Sequence, residues 1–231
     1  MVAQTFTSDK ECNGFVGYYP TDNEIIVSFS GTDPFNLKMW IDDLDFFKTD
    51  YPLCKDIGCQ VHEGFYKTYL SAVDQIRNLT DSYLTQYPTA TITCTGHSLG
   101  AALASHCAAD LYDQFKPSHP DLVFTSPYTF GLPRVGDETY STWFKSDALP
   151  VDSYRVVHRK DPVPQLPLQS MGFHHFPYEI FYVEDYTKYT VCSESGEDPD
   201  CSNQYVVNVD VINHLHYLGL DFTTNFLNCE L

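Results

Sequence analysis

Thr95-Gly96-His97-Ser98-Leu99-Gly100-Ala101 is the stretch on which the reading of this chain turns. Before it, Thr89-Ala-Thr-Ile-Thr-Cys-Thr95 is rich in β-branched residues and predicts a buried strand. After it, Leu99 to Tyr112 is rich in Ala and Leu and predicts a helix. A serine between strand and helix, flanked by Gly96 and Gly100, is the pattern of a very sharp turn that projects a hydroxyl away from a sheet. Such a turn presses neighbouring backbones together, so its flanking positions must be glycine-sized. The helix that follows aims free N–H groups at the place where negative charge would develop. Glycines around a serine also occur by chance in loops. The strand before and the helix after give this instance its weight.

Outward from that turn, strand and helix signals alternate. Glu24-Ile-Ile-Val-Ser-Phe-Ser30 predicts a strand that stops at Gly31. Thr32 to Phe47 scatters apolar residues among acids and predicts a short amphipathic helix in part of its length. Gly64 to Tyr87 has helical spacing through Tyr66, Leu70, Val73, Ile76 and Tyr83, and Pro88 ends it. Leu122 to Phe130 and Ser153 to His158 are strand-like, and Ile180-Val183 with Tyr189-Val191 predicts a late hairpin. This alternation implies an α/β fold with a mostly parallel central sheet flanked by helices. There is no internal repeat and no clear linker, so residues 1–231 are expected to form one domain.

Composition narrows the function classes. A formal net charge of −18 with no basic stripe argues against nucleic acid and against anionic lipid headgroups. No apolar run approaches the ~20 residues of a membrane-spanning helix. The eight cysteines suggest an oxidising compartment, and the sequon Asn78-Leu79-Thr80 marks Asn78 as a glycosylation candidate. The opening Met1-Val-Ala-Gln-Thr carries none of the basic and apolar regions of a signal peptide, so the expectation of a secreted protein rests on the cysteines and the sequon.

Six segments taken in order carry a resemblance. They are Phe15-Val-Gly-Tyr18, Val27-Ser-Phe-Ser-Gly-Thr32, Val61-His-Glu-Gly-Phe65, Gly96-His-Ser-Leu-Gly100, Tyr128-Thr-Phe-Gly-Leu-Pro-Arg-Val-Gly136 and His158-Arg-Lys-Asp-Pro-Val-Pro164. Together they resemble the class 3 lipase family, the fungal-type lipases and their feruloyl esterase relatives, from about Gly14 to the C-terminus. The resemblance implies the α/β-hydrolase fold and a serine carboxylic-ester hydrolase, in first place a triacylglycerol lipase working through an acyl-enzyme. It implies an acylglycerol or other ester as substrate and contact with a lipid–water interface. A monomer without cofactor is expected, and the cysteines, with no Cys-x-x-Cys pair and irregular spacings, argue against a metal site.

A serine hydroxyl needs a base to take its proton, and histidine has the right pKa. A buried carboxylate must then hold the imidazole in one tautomer. In α/β-hydrolases the order is Ser, acid, His, so both partners are sought after Ser98. Asp161 follows a predicted strand and precedes Pro162-Val-Pro164; on the residues alone, a turn-forming Asp before Pro reads as well as a catalytic one. The family's similar Asp-x-Val-Pro segment makes Asp161 the triad acid by resemblance. For the base, His214 and His216 compete within Asn213-His-Leu-His-Tyr-Leu-Gly219, and the family's motif aligns with His214. His97, His158 and His175 are read as structural. The oxyanion of a tetrahedral intermediate needs two donors. One is expected from the backbone N–H of Leu99, the other by resemblance from Thr32. The family's usual Arg before the oxyanion glycine is Ser30 here.

By the same resemblance, the segment from Asp33 to Asp42 is a lid over the site. Phe35, Leu37, Met39, Trp40 and Ile41 are its large apolar residues, with Trp40 at the position of the family's lid tryptophan. An ordinary loop packing those residues inward is the plainer alternative. The resemblance also pairs Cys12 with Cys229, Cys54 with Cys59, and Cys192 with Cys201, leaving Cys94 and Cys107 as buried thiols. An aromatic-ester hydrolase of the feruloyl type would use the same triad beneath a more polar lid, and the cysteine spacing resembles that branch. A non-catalytic binding protein on this scaffold is the competing class. It expects a broken triad, whereas positions 98, 161 and 214 are all filled.

Overall fold

The computed structural model describes residues 1–183 and 186–224. Its centre is an eight-stranded sheet. In chain order the sheet strands and the helices among them are β1 (Val2–Phe6), β2 (Gly14–Tyr19), β3 (Glu24–Phe29), α1 (Leu37–Asp42), and the short ribbon β4 (Lys48–Asp50) with β5 (Gln60–His62). Then come α2 (Glu63–Leu70), α3 (Val73–Gln86), β6 (Thr91–His97), α4 (Leu99–Phe115), β7 (Tyr128–Phe130), α5 (Glu138–Ser146) and β8 (Tyr154–His158). The chain continues through β9 (Glu179–Tyr182), β10 (Tyr189–Val191), α6 (Val211–His214) and a small hairpin of β11 (His216–Tyr217) and β12 (Leu220–Asp221).

The sheet order is β1-β2-β3-β6-β7-β8-β9-β10. The block from β3 to β9 is parallel throughout, while β1, β2 and β10 add antiparallel edges. This is the mostly parallel α/β sheet that the sequence predicts. Alternation along the strands shows how it is covered: in β3 the residues Ile25, Val27 and Phe29 are buried, and in β6 Ile92 and Cys94. They form one core with the Ala-rich face of α4, where Ala101, Ala104 and Ala108 let helix and sheet approach closely.

Two predicted elements differ in detail, and so does the setting of the sequon. The helical spacing from Gly64 to Tyr87 is divided between α2 and α3 at Ser71 and Ala72. There the Ser71 hydroxyl donates to the Thr68 carbonyl at 2.6 Å, a local bond that competes with continuing the helix. The strand expected from Leu122 to Phe130 is regular only from Tyr128. Pro127 has no N–H to give a ladder, and an isolated bridge from Phe124 to Ile92 carries the connection before it. Asn78 is exposed, but it lies within α3, and Thr80 of its sequon is buried.

Two of the expected disulfides are present, Cys54–Cys59 and Cys192–Cys201. Cys12 is buried, and its expected partner Cys229 lies outside the described residues.

Candidate active site

Ser98 sits between β6 and α4 with φ of +59° and ψ of −128°. A non-glycine residue held there is strained, at a cost of about 1–3 kcal/mol that the surrounding packing must offset. The glycines show what holds it. A Cβ at Gly96 would lie 2.3 Å from the Gly100 carbonyl oxygen, and one at Gly100 would lie 2.5 Å from that of Phe29. Strand and helix therefore meet backbone to backbone, and any side chain at either position would push the turn open.

Asp161 comes from the C-terminal end of a sheet strand and His214 from a short helix further along the chain. Asp161 follows β8, and its Oδ1 accepts from the Val163 N–H at 2.8 Å, an Asx turn that fixes the carboxylate. The next residues are held by Arg134, whose buried guanidinium donates to the Gln165 and Pro167 carbonyls and pairs with Glu197 at 2.7 Å. His214 ends α6, a one-turn helix capped by the Asp210 carboxylate on the Ile212 N–H. His214 Nδ1 lies 2.7 Å from Asp161 Oδ2, and both side chains are fully buried. An anionic acceptor at Nδ1 puts the proton on that nitrogen and leaves Nε2 to accept.

Residues read as structural in the sequence support this pair. The His97 ring donates through Nε2 to the His214 carbonyl at 2.8 Å, and His158 Nδ1 donates to that of Asn213 at 3.2 Å. Burial, with His214 nearby, drives the His97 pKa well below the ordinary value, and burial also lowers that of His158. Both rings act as neutral brackets on the backbone of α6. His216, the competing base, is partly exposed and turned away: its Nδ1 donates to the Ile212 carbonyl and its Nε2 faces Asp221 at 3.5 Å.

Two residues had no individual signal in the sequence. The Tyr217 hydroxyl donates to Asp161 Oδ2, the oxygen that also faces His214. Gly131, at φ of +57°, passes so close that a Cβ there would lie 2.8 Å from His214 Cε1 and 2.9 Å from Asp161 Oδ2. Both positions fall inside segments similar to the family, but only their contacts reveal what they do.

Three polar side-chain atoms at this site are buried with no hydrogen-bond partner among the described residues: Ser98 Oγ, His214 Nε2 and Thr32 Oγ1. Thr32 is near the turn because Gly31 packs against it, with the position of a Gly31 Cβ 2.8 Å from the His97 carbonyl oxygen. Leu99 is the first residue of α4, where an N–H has no intrahelical acceptor. The position that the resemblance fills with Arg is Ser30, whose N–H and hydroxyl both donate to the Asn13 carbonyl. The loop entering Gly31 is therefore tied down without a charge.

Two cavities flank Thr32. One of about 400 Å³ is lined by Gly31, Leu37, His97, His214 and Phe222; the other, about 440 Å³, by Trp40, His62, Phe65 and Leu99. Helix α1 lies across them. Leu37 points inward and is buried, and Trp40 stacks on Phe65 at 6.3 Å, whereas Phe35 and Met39 are 61% and 64% exposed. Ser98 is only 1% exposed. Glu179, Cys192 and Cys201 form a group with metal-like spacing. Its sulfurs are joined in a disulfide and its carboxylate is engaged by Arg155 and the Ser202 N–H, so it offers no ligand set.

A serine on a strand–helix elbow, followed in the chain by a carboxylate after a later strand of a parallel sheet and then by an imidazole that reaches it, defines the α/β-hydrolase class of proteins. Within that class the chain belongs to the class 3 lipase family, whose model matches residues 26–171. It is 33% identical over 213 residues to a lipase of Rhizomucor miehei, covering 91% of this chain and 56% of that protein. It is 30% identical over 162 residues to secreted mono- and diacylglycerol lipase A of Penicillium cyclopium, covering 70% and 49% of the two. The chain thus spans about half the length of the curated relatives it matches. Among solved structures, it superposes with a TM-score of 0.86 at 30% identity on a triacylglycerol lipase described as having a serine protease triad at its catalytic centre. That match covers 96% of this chain and 82% of the other.

Proposed function

We propose that this chain is a serine carboxylic-ester hydrolase acting on acylglycerols. Ser98 is its nucleophile, His214 its base and Asp161 its orienting acid. The observation that carries the reading is that Ser98 Oγ, His214 Nε2 and Thr32 Oγ1 are each buried without a partner among the described residues, with Thr32 and His214 lining one cavity and Gly31 packed on the turn that holds Ser98. Buried polar groups without partners are costly, and their clustering here fits groups that await a substrate.

Ser98 Oγ attacks the ester carbonyl carbon as its proton passes to His214 Nε2. The imidazolium is held by Asp161. The carbonyl oxygen becomes an oxyanion, received by the Leu99 N–H and by Thr32 through its N–H and hydroxyl. Collapse of the intermediate breaks the ester C–O bond, and His214 returns its proton to the departing alcohol. Water then repeats the sequence on the acyl-enzyme: His214 takes its proton, the carboxylic acid leaves, and Ser98 regains its hydrogen.

Helix α1 serves as a lid over this site. Turning it outward exposes Leu37 and Trp40 beside Phe35 and Met39, which is favourable at an apolar surface at about 25 cal/mol per Å². That apolar lid supports acylglycerols over aromatic esters, and the net charge of −18 supports neutral lipid surfaces over anionic ones. The two disulfides support an extracellular enzyme.

The test is a rate profile over p-nitrophenyl esters of rising chain length, a triglyceride emulsion and methyl ferulate, with Ser98→Ala as control. Acylglycerol turnover that Ser98→Ala abolishes is the expected result. Preference for ferulate with no response to chain length overturns the lipase reading, and full activity in Ser98→Ala overturns the enzyme assignment.

A further inference from the structure

The fold brings together two thiols that the catalytic reading does not use. Cys94 lies in β6 just before the nucleophile turn, and Cys107 lies in α4 beyond it. Both are fully buried, and their Sγ atoms are 3.2 Å apart. That is about 1.2 Å longer than the ~2.04 Å of a disulfide. The cysteine count points the same way. Of the eight, Cys54, Cys59, Cys192 and Cys201 are already paired. Cys12 has its expected partner at position 229, which leaves Cys94 and Cys107 facing each other. A protein that holds disulfides matures where thiols in contact are oxidised.

We propose that Cys94 and Cys107 form a further disulfide in the mature protein, a buried brace across the nucleophile turn. Together the two thiols lose two protons and two electrons as the Sγ–Sγ bond forms. The electrons pass to the disulfide of a protein or small-molecule oxidant, which leaves as two thiols: one cysteine thiolate opens the oxidant's disulfide, and the other displaces the second oxidant thiol from the mixed disulfide. Neither sulfur is exposed in the folded chain, so exchange precedes the docking of α4 on β6. Once formed, the bond is shielded from reductants until the protein unfolds. The segment it closes contains Gly96, Ser98 and Gly100, so it ties together both flanks of the turn that holds Ser98 at positive φ.

The test uses the protein secreted from an oxidising host, denatured with an alkylating agent and no reductant, then digested and mapped by mass. The expected product is a peptide pair joining positions 94 and 107, lighter than its two thiol forms by two hydrogen atoms, with neither cysteine alkylated. Alkyl groups on both cysteines overturn the proposal, as does a bond from either to Cys12, the third buried thiol nearby. A thermal-unfolding cycle gives an independent readout. With the brace present, Cys94→Ala and Cys107→Ala each lower Tm by several degrees, and the double variant loses far less than their sum. Additive losses mark two separately packed thiols and overturn it.

Discussion

The Tyr217 hydroxyl donates to the same oxygen of Asp161 that faces Nδ1 of His214. Tyr217 is buried, and burial together with the Asp161 charge pushes its phenol pKa well above the ordinary value, so it remains a donor. It shares the carboxylate's negative charge with the imidazole. Tyr217→Phe removes that share and leaves Asp161 to attract imidazolium more strongly. The carboxylate also loses one of the bonds that hold its orientation, so the expected result is a fall in kcat of about tenfold, together with a shift of the acid limb of the kcat/KM profile to higher pH. A profile and kcat that match the parent enzyme remove Tyr217 from the site's machinery.

Gly131→Ala places a methyl 2.8 Å from His214 Cε1 at a residue whose φ is +57°. The imidazole must move by several tenths of an ångström. Near-attack geometry tolerates little displacement, so kcat should fall about 100-fold. Thermal unfolding should show a smaller change, because the contact is local. A variant with full activity shows that the pair has room to shift.

The two histidines of the C-terminal motif separate by geometry. His214→Ala removes the side chain facing Asp161 and should cut turnover by roughly three orders of magnitude or more. His216→Ala removes a ring bound to the Ile212 carbonyl and facing Asp221, and kcat should stay within about twofold. The reverse outcome transfers the role of base to His216.

Phe35 and Met39 are exposed while the site is covered, so charging them should leave folding intact. Burying one such side chain in lipid is favourable by about 1.5–3 kcal/mol. Phe35→Asp and Met39→Asp are each expected to lower activity on an emulsion by tenfold or more, and to leave hydrolysis of a soluble short-chain ester unchanged. Equal losses on both substrates place these residues outside lipid contact.

Acid should destabilise the protein through its buried neutral histidines. Burial lowers the pKa of His62 to about 4 and that of His106 to about 3, against an unfolded value of 6.5. Below pH 6.5 the unfolded chain therefore binds protons that the folded chain refuses. Stability is full above that pH and falls as pH drops toward 4 and 3, by up to about 1.4 kcal/mol per pH unit for each histidine. His106 sits among the rings of Tyr51, Tyr66, Tyr69 and Tyr140 with neither nitrogen bonded, so His106→Phe preserves the packing. Urea unfolding of that variant between pH 6.5 and 4 should show a slope shallower by about one proton. An unchanged slope assigns the acid sensitivity to other groups.

Local order made the elbow legible. Gly96, Ser98 and Gly100 are close in sequence, and the strand and helix that hold them announce themselves by β-branched and Ala-rich composition. The parallel strands β3, β6 and β8 were readable for the same reason. Elements whose signal is weak or interrupted were not: β1 is a largely exposed edge strand, α5 is only nine residues long and rests its buried face on aromatic residues of modest helix propensity, and the break at Ser71 depends on which bond one hydroxyl makes.

The amino-acid sequence by itself determined the fold class, the serine's place on its turn, and a short list of acids and histidines that follow it. It left His214 and His216 as rivals and Asp161 as either a turn residue or a triad member until family likeness ranked them. Only the tertiary structure decided which imidazole meets Asp161, that Tyr217 shares its oxygen, that Gly131 keeps the space between them, and that two distant thiols touch. The reason is range: a turn is dictated by neighbours along the chain, whereas a proton path depends on contacts between residues that only the closed sheet brings within ångströms of one another.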